Sequence, residues 1–152
     1  MLSALTIHSF RKGIDSRENP IYMLNTEHFT TLVVDDDDFL LKSLPSFISR
    51  VPGVEVVGTA RDGGEAITKL KAIQPRIVLM DVRMPRMDGI EATKIILKLY
   101  PDVRVVLMSG MDEPAMRAEC MECGAHAFLA KMDVNHQFPR VINQLFGSGV
   151  HA

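Results

Sequence analysis

The chain has 152 residues, of which 47% are hydrophobic and 24% charged, and a formal net charge of −2. That size and balance fit one globular domain with a sizeable core and exclude disorder throughout. With a pI near 6.2 there is no broad basic field for DNA or anionic lipid. No apolar stretch approaches the roughly 18–20 residues of a membrane span, and the start lacks the pattern of a signal peptide. A cytoplasmic protein with no direct nucleic-acid or membrane partner is expected.

Residues 1–28 show no sustained period and are read as an N-terminal leader outside the core. A native start at Met23 and a short docked helix over Leu2–Phe10 both stay open. The first strand is expected at 30–34, and four aspartates, Asp35–Asp38, follow its apolar run. Carboxylates gathered by folding repel and raise one another's pKa, so such a cluster suggests a hard, oxygen-ligated cation, with Mg2+ the natural candidate. Leu40, Leu41, Leu44, Phe47 and Ile48 then mark one helical face, with Pro45 expected to remove a backbone bond and kink it.

A second strand is expected at 54–59, and a helix carries Ala66, Ile67 and Leu70. The glycines at 58, 63 and 64 do not make a dinucleotide-binding G-x-G-x-x-G. The third strand, 77–81, ends in Asp81, and the Asp88-Gly89 pair predicts a turn before a helix bearing Ala92, Ile95, Ile96 and Leu99. Strand four, 103–108, precedes Ser109. A helix over 113–123 is predicted with Asp112 as its N-cap and Pro114 in its first turn. It carries Cys120 and Cys123, spaced C-x-x-C with His126 beyond; the position late in a helix favours two packed small residues over a redox or zinc site. Strand five, 126–130, leads to Lys131, and a last helix, 136–146, should bury Phe138, Val141, Ile142 and Leu145. Residues 29–146 form the expected domain, and 147–152 a short tail.

Strands apolar on both faces and alternating with helices imply an α/β domain, a five-stranded parallel sheet doubly wound by helices. In such sheets ligands lie at the carboxyl ends of the strands. Asp35, Asp36, Asp81, Ser109 and Lys131 all fall there. Three carboxylates, a hydroxyl and an ammonium suit a cation and a phosphoryl group held against a nucleophilic carboxylate.

Val33-Val34-Asp35-Asp36, then Asp81 to Pro85 and Asp88-Gly89, then Met108-Ser109-Gly110, then Phe128 to Lys131, together resemble the receiver domain of two-component response regulators over roughly residues 29–146. The resemblance implies the flavodoxin-like strand order 2-1-3-4-5. It implies Asp81 as acceptor of a phosphoryl group from a phosphohistidine, with Mg2+ on Asp36, Asp81, the Arg83 backbone carbonyl and, through water, Asp35. Lys131 and Ser109 would meet phosphoryl oxygens. Asp37 and Asp38 read as helix-start residues.

The same resemblance makes Ser109 and Phe128 a switch. Its surface would be helix 113–123, strand 126–130 and helix 136–146, with Met111, Met116 and Met121. The chain departs from the commoner pattern in having Met132 after Lys131, and in large residues, Arg83 and Met111, where the family tunes water access. Partners would be a sensor histidine kinase or a histidine phosphotransfer protein, and a downstream effector; homodimerisation is also open. The protein would be no enzyme but a phosphoacceptor assisting its own phosphorylation and dephosphorylation. Two other readings are a phosphorylation-independent docking module and a haloacid-dehalogenase-type phosphatase built on Asp35, Asp37, Ser109 and Lys131. The latter leaves Asp81 unexplained.

Overall fold

The computed structural model describes residues 27–147. The readings made for residues 1–26 and for the end of the tail lie outside them. Five strands, β1 (Phe29–Val34), β2 (Val54–Ala60), β3 (Ile77–Asp81), β4 (Arg104–Ser109) and β5 (Ala127–Ala130), alternate with five helices. The helices are α1 (Asp38–Ile48), α2 (Gly63–Ile73), α3 (Gly89–Leu99), α4 (Pro114–Glu122) and α5 (Val134–Phe146), with one 3-10 turn at Lys131–Asp133. The sheet is parallel, in the order β2-β1-β3-β4-β5. This is the doubly wound α/β fold expected.

Alternation along the strands divides the core in two. Leu32, Val34, Val78, Met80, Val105, Leu107 and Phe128 pack on one face with Ala66, Leu70, Ala92, Ile96 and Cys120, which come from α2, α3 and α4. Val33, Ile77, Leu79, Val106, Met108 and Leu129 pack on the other with Leu44 and Ile48 of α1 and Val134, Phe138 and Ile142 of α5. Each fully buried aliphatic or aromatic side chain contributes about 1.5–3 kcal/mol.

Side chains start three of the helices: Asp37 accepts from the Phe39 N–H, Asp62 from Glu65 and Asp88 from Glu91. Satisfying an orphan N–H in this way is worth about 1 kcal/mol. Asp88-Gly89 is therefore a helix start rather than a free turn.

Several local expectations change. Asp112 does not cap α4. Glu113 occupies that position without a side-chain bond, because Asp112 is held by Arg117 Nε at 2.8 Å. Helix α1 continues through Pro45. Phe47 does not join the buried face of α1 but is 42% exposed, with the Arg50 guanidinium over its ring. The last helix begins at Val134 rather than 136, since Val134 is buried, and Leu145 is only half-buried. Ser109 ends β4 rather than following it. Cys120 is buried, and the Cys123 thiol donates to its carbonyl. The His126 ring accepts from the Val105 N–H, so no Cys–Cys–His site forms.

Candidate functional site

Period-two alternation continues past the apolar runs and places the site. Val33 and Leu79 face α1 and α5, so Asp35 and Asp81, two residues on, lie on that side of the carboxyl edge. Lys131, two beyond Leu129, is directed there as well. Its Nζ stands 2.9 Å from Asp35 Oδ2 and 3.1 Å from Asp81 Oδ2. Asp35 is fully buried and Asp81 nearly so, while Asp36 is exposed.

One oxygen of Asp35, Oδ1, accepts the Asp37 N–H at 2.9 Å. The other, Oδ2, is buried and has no hydrogen-bond partner. Lys131 approaches it closely enough for ion pairing, but without hydrogen-bond alignment. A buried carboxylate oxygen left with unused lone pairs is costly unless something else meets it. Carboxylate oxygens of Asp35, Asp36 and Asp81 come within 4.8 Å of one another. Hard anionic oxygens at this spacing, one of them met only by the Lys131 ammonium, fit a divalent cation such as Mg2+.

Burial raises the Asp81 carboxyl to about 6, with the Asp35 charge adding to the effect and the Lys131 charge and the Arg83 N–H opposing it. Lys131 is shifted upward. Burial works against its charge, but the Asp35 and Asp81 carboxylates outweigh that. The site thus holds a carboxylate that ionises below neutral pH yet is poorly solvated, beside a fixed cation.

Ser109 is buried, and its Oγ accepts the Met111 N–H at 3.0 Å. Alternation after Leu107 puts it on the sheet face of Phe128, opposite Asp35 and Asp81. Phe128 is 7% exposed, with the Arg117 guanidinium 4.8 Å above its ring. Arg83 and Met111 are exposed. Asp37 and Asp38 are spent elsewhere, Asp37 on the α1 cap and Asp38 on Arg61. With Asp37 capping a helix, a D-x-D phosphatase pair is not assembled.

Sequence reasoning marked Asp88-Gly89 as a turn but missed why glycine is required there, and missed the supports from Thr93 and Arg86. A Cβ on Gly89 would lie 2.4 Å from the Asp81 carbonyl oxygen and 3.0 Å from Val82 Cα, so only glycine lets α3 start against the end of β3. The buried Thr93 hydroxyl donates to the Gly89 carbonyl at 2.7 Å and seats that turn. Arg86, in the left-handed region at φ 68°, ion-pairs with the α2 cap Asp62 and ties the loop after Asp81 to α2. The left-handed conformation of a long side chain has no local sequence signal.

Residues 31–141 match the family model of the response regulator receiver domain. The chain is 41% identical over 100 residues to the chemotaxis protein CheY of Thermotoga maritima, covering 66% of this chain and 82% of that one. It is 39% identical over 100 residues to the transcriptional regulatory protein LnrK of Bacillus subtilis, covering 66% of this chain and 46% of LnrK. The chain thus spans about half the length of several curated relatives it matches. Among solved structures it superposes on the CheX–CheY–BeF3–Mg2+ complex of Borrelia burgdorferi with TM-score 0.71 and 30% identity, covering 78% of this chain and 89% of that one.

Proposed function

The chain belongs to the response regulator receiver domain family of two-component systems, and on that premise we propose that Asp81 accepts a phosphoryl group from the phosphohistidine of a sensor histidine kinase or phosphotransfer protein. The observation that carries this reading is the poorly solvated, ionisable Asp81 carboxylate, 3.1 Å from Lys131 Nζ at the carboxyl edge of the sheet.

An Asp81 oxygen attacks phosphorus, the P–N bond to the imidazole breaks, and its electron pair leaves on the imidazole nitrogen. Asp81 must be ionised to attack, which its pKa near 6 allows at neutral pH. The Lys131 ammonium lies where it can exchange a carboxylate contact for a phosphoryl oxygen. Asp35, Asp36 and Asp81 are the side chains that would hold Mg2+, with the Arg83 carbonyl added by family resemblance. When bound, the ion neutralises charge on the phosphoryl oxygens. In our reading Ser109 leaves the Met111 N–H for the phosphoryl group, and Phe128 reports the change.

The protein acts as a cytoplasmic phosphoacceptor that assists its own phosphorylation and dephosphorylation, with residues 29–146 as the working unit and 1–28 and 147–152 as appendages. Among the described residues no helix is long and apolar enough to cross a membrane. Phe39 and Met132 beside the site are 74% and 90% exposed, which suits a macromolecular donor that covers them. A downstream effector, or a second copy, would read the switch. The test is intact mass after incubation with Mg2+ and acetyl phosphate. One added phosphoryl mass is expected, dependent on Mg2+ and lost in Asp81→Ala. No added mass with any phosphodonor, kinases included, would instead favour a phosphorylation-independent docking module.

A further inference from the structure

Of the four aspartates after β1, Asp35 and Asp37 hold the turn: Asp35 Oδ1 accepts the Asp37 N–H, and Asp37 Oδ1 accepts the Phe39 N–H. Asp36 makes no ion pair among the described residues. Asp38 pairs with the Arg61 guanidinium. Both partners stand in solvent, Arg61 53% and Asp38 65% exposed in their side chains. An exposed ion pair contributes little to stability, so stability alone does not account for it, and its position beside the acidic cluster becomes the informative fact.

The sheet brings Arg61 to that cluster. The Ala60 carbonyl accepts the Asp35 N–H at 3.0 Å, so Arg61, the next residue, leaves β2 beside Asp35 and Asp36. Its own N–H donates to Glu65 Oε1 at 2.7 Å, while the Glu65 N–H donates to Asp62 Oδ1 at 2.9 Å. This reciprocal cap fixes the main chain and leaves the side chain as the part that can move. The Asp38 hydrogen bond and charge lift the guanidinium above its ordinary range, and the Glu65 and Asp36 charges add to the effect. Asp36 thus lies within electrostatic reach of a cation that its neighbour holds. Lys42 is the other cation that Asp38 feels.

Asp36 is also the exposed member of the three carboxylates that fit a divalent ion. We propose that Arg61 competes with the ion for the Asp36 carboxylate and that Asp38 is a positioning residue that holds Arg61 off, so that the pair sets how tightly the site takes Mg2+. A guanidinium and a divalent ion on one carboxylate repel each other. Paired with Asp38, Arg61 presents little net charge to the ion; without Asp38, Asp36 is the carboxylate left for it. Asp38 acts through Arg61 and touches no ion. The affinity rests on the cation reading above, and its consequence, faster phosphorylation of Asp81 when Mg2+ is scarce, rests on the phosphoacceptor reading.

The experiment is a double-mutant cycle on the whole chain: wild type, Asp38→Asn, Arg61→Gln and the two combined, each titrated with Mg2+ by calorimetry at pH 8 after EDTA treatment. Melting curves in EDTA check that each variant is folded, which the exposure of both side chains favours. Asp38→Asn should weaken Mg2+ binding about three- to fivefold, the scale of an exposed ion pair. With Arg61 already replaced, the same change should cost about 1.5-fold or less, because the competitor is gone. Uptake of phosphoryl mass from acetyl phosphate should slow in Asp38→Asn at Mg2+ below its Kd and match wild type at saturation.

An equal loss of affinity on Asp38→Asn in both backgrounds overturns the proposal, since Asp38 would then act by its own charge. So does slower uptake in Arg61→Gln at saturating Mg2+, which would put Arg61 on the phosphodonor instead. No Mg2+ binding by wild type sinks the cation reading and the proposal with it. Mg2+ binding without phosphoryl mass from any donor sinks the phosphoacceptor reading alone, while the affinity cycle still decides between Arg61 as competitor and Asp38 as a plain charge.

Discussion

Asp81→Asn should make the metal-free protein more stable at pH 8, although it removes the group on which the proposed chemistry depends. In the folded chain burial and the neighbouring Asp35 lift the Asp81 pKa from 3.8 to about 6. The folded state therefore holds its proton at pH values where the unfolded chain has released it. Between about pH 4 and 6 the native state binds more protons, so stability falls as pH rises through that window and stays reduced above it. Two pKa units correspond to a cost of about 3 kcal/mol at most. Asparagine does not ionise, and Lys131 keeps Asp35 as its partner at 2.9 Å, so no orphaned ammonium offsets the gain. In urea titrations with EDTA, the variant's midpoint should exceed that of wild type by on the order of 1 M at pH 8. The gap should close toward pH 4, and Mg2+ should narrow it at pH 8 by stabilising wild type. A variant less stable at pH 8, or a gap that does not change with pH, would refute the reasoning.

Lys131→Ala leaves the Asp35 and Asp81 carboxylates facing each other without their cation; stability at pH 8 should drop by about 2 kcal/mol in urea titrations, with part of it restored by Mg2+. Mg2+ itself should raise the wild-type melting temperature, by the equivalent of about 2.7 kcal/mol at a hundred times its Kd, and calorimetry should show that rise much reduced in Asp36→Asn. Gly89→Ala forces a methyl against the Asp81 carbonyl and Val82 Cα. Because both neighbours are backbone, it should cost about 2–3 kcal/mol by denaturant midpoint and lower phosphoryl uptake in the mass assay.

Most of the fold was legible because its signals are local. Apolar runs on β1, β3 and β4 announced strands buried on both faces, and Asp37, Asp62 and Asp88 sit where a helix-starting carboxylate is preferred. The edge placement of Asp35, Asp81 and Lys131 followed from strand alternation, and their joint identity as a site came from the family motifs. What was not legible depends on partners distant in sequence. Asp112 looked like a cap until Arg117 claimed it. Phe47 fitted the helical period, but it lies beside the buried stripe of Leu44 and Ile48 rather than on it, and it is exposed. The tie between Arg86 and Asp62 spans 24 residues, and nothing at either end of it marks the other.

The same alternation that builds the site separates its two tasks. Asp35, Asp81 and Lys131 lie on the α1–α5 side of the sheet, whereas Ser109 and Phe128 lie on the side of α2, α3 and α4. A charge placed on Asp81 cannot reach Phe128 through packing alone, because the strands stand between them. It must pass around the carboxyl edge, where β3 and β4 run side by side and the Val82 N–H donates to the Met108 carbonyl at 2.9 Å. Ser109 is the next residue along β4 after that carbonyl. Short and buried at the edge, it is placed to turn from the Met111 N–H toward a new anion on Asp81. A larger or apolar residue there would remove one phosphoryl contact and cut the route to Phe128. Ser109→Ala should therefore take up phosphoryl mass more slowly, with one phosphoryl contact gone, yet lose the phosphorylation-dependent change in hydrogen exchange along β5; an unchanged β5 response would show that the route does not run through Ser109.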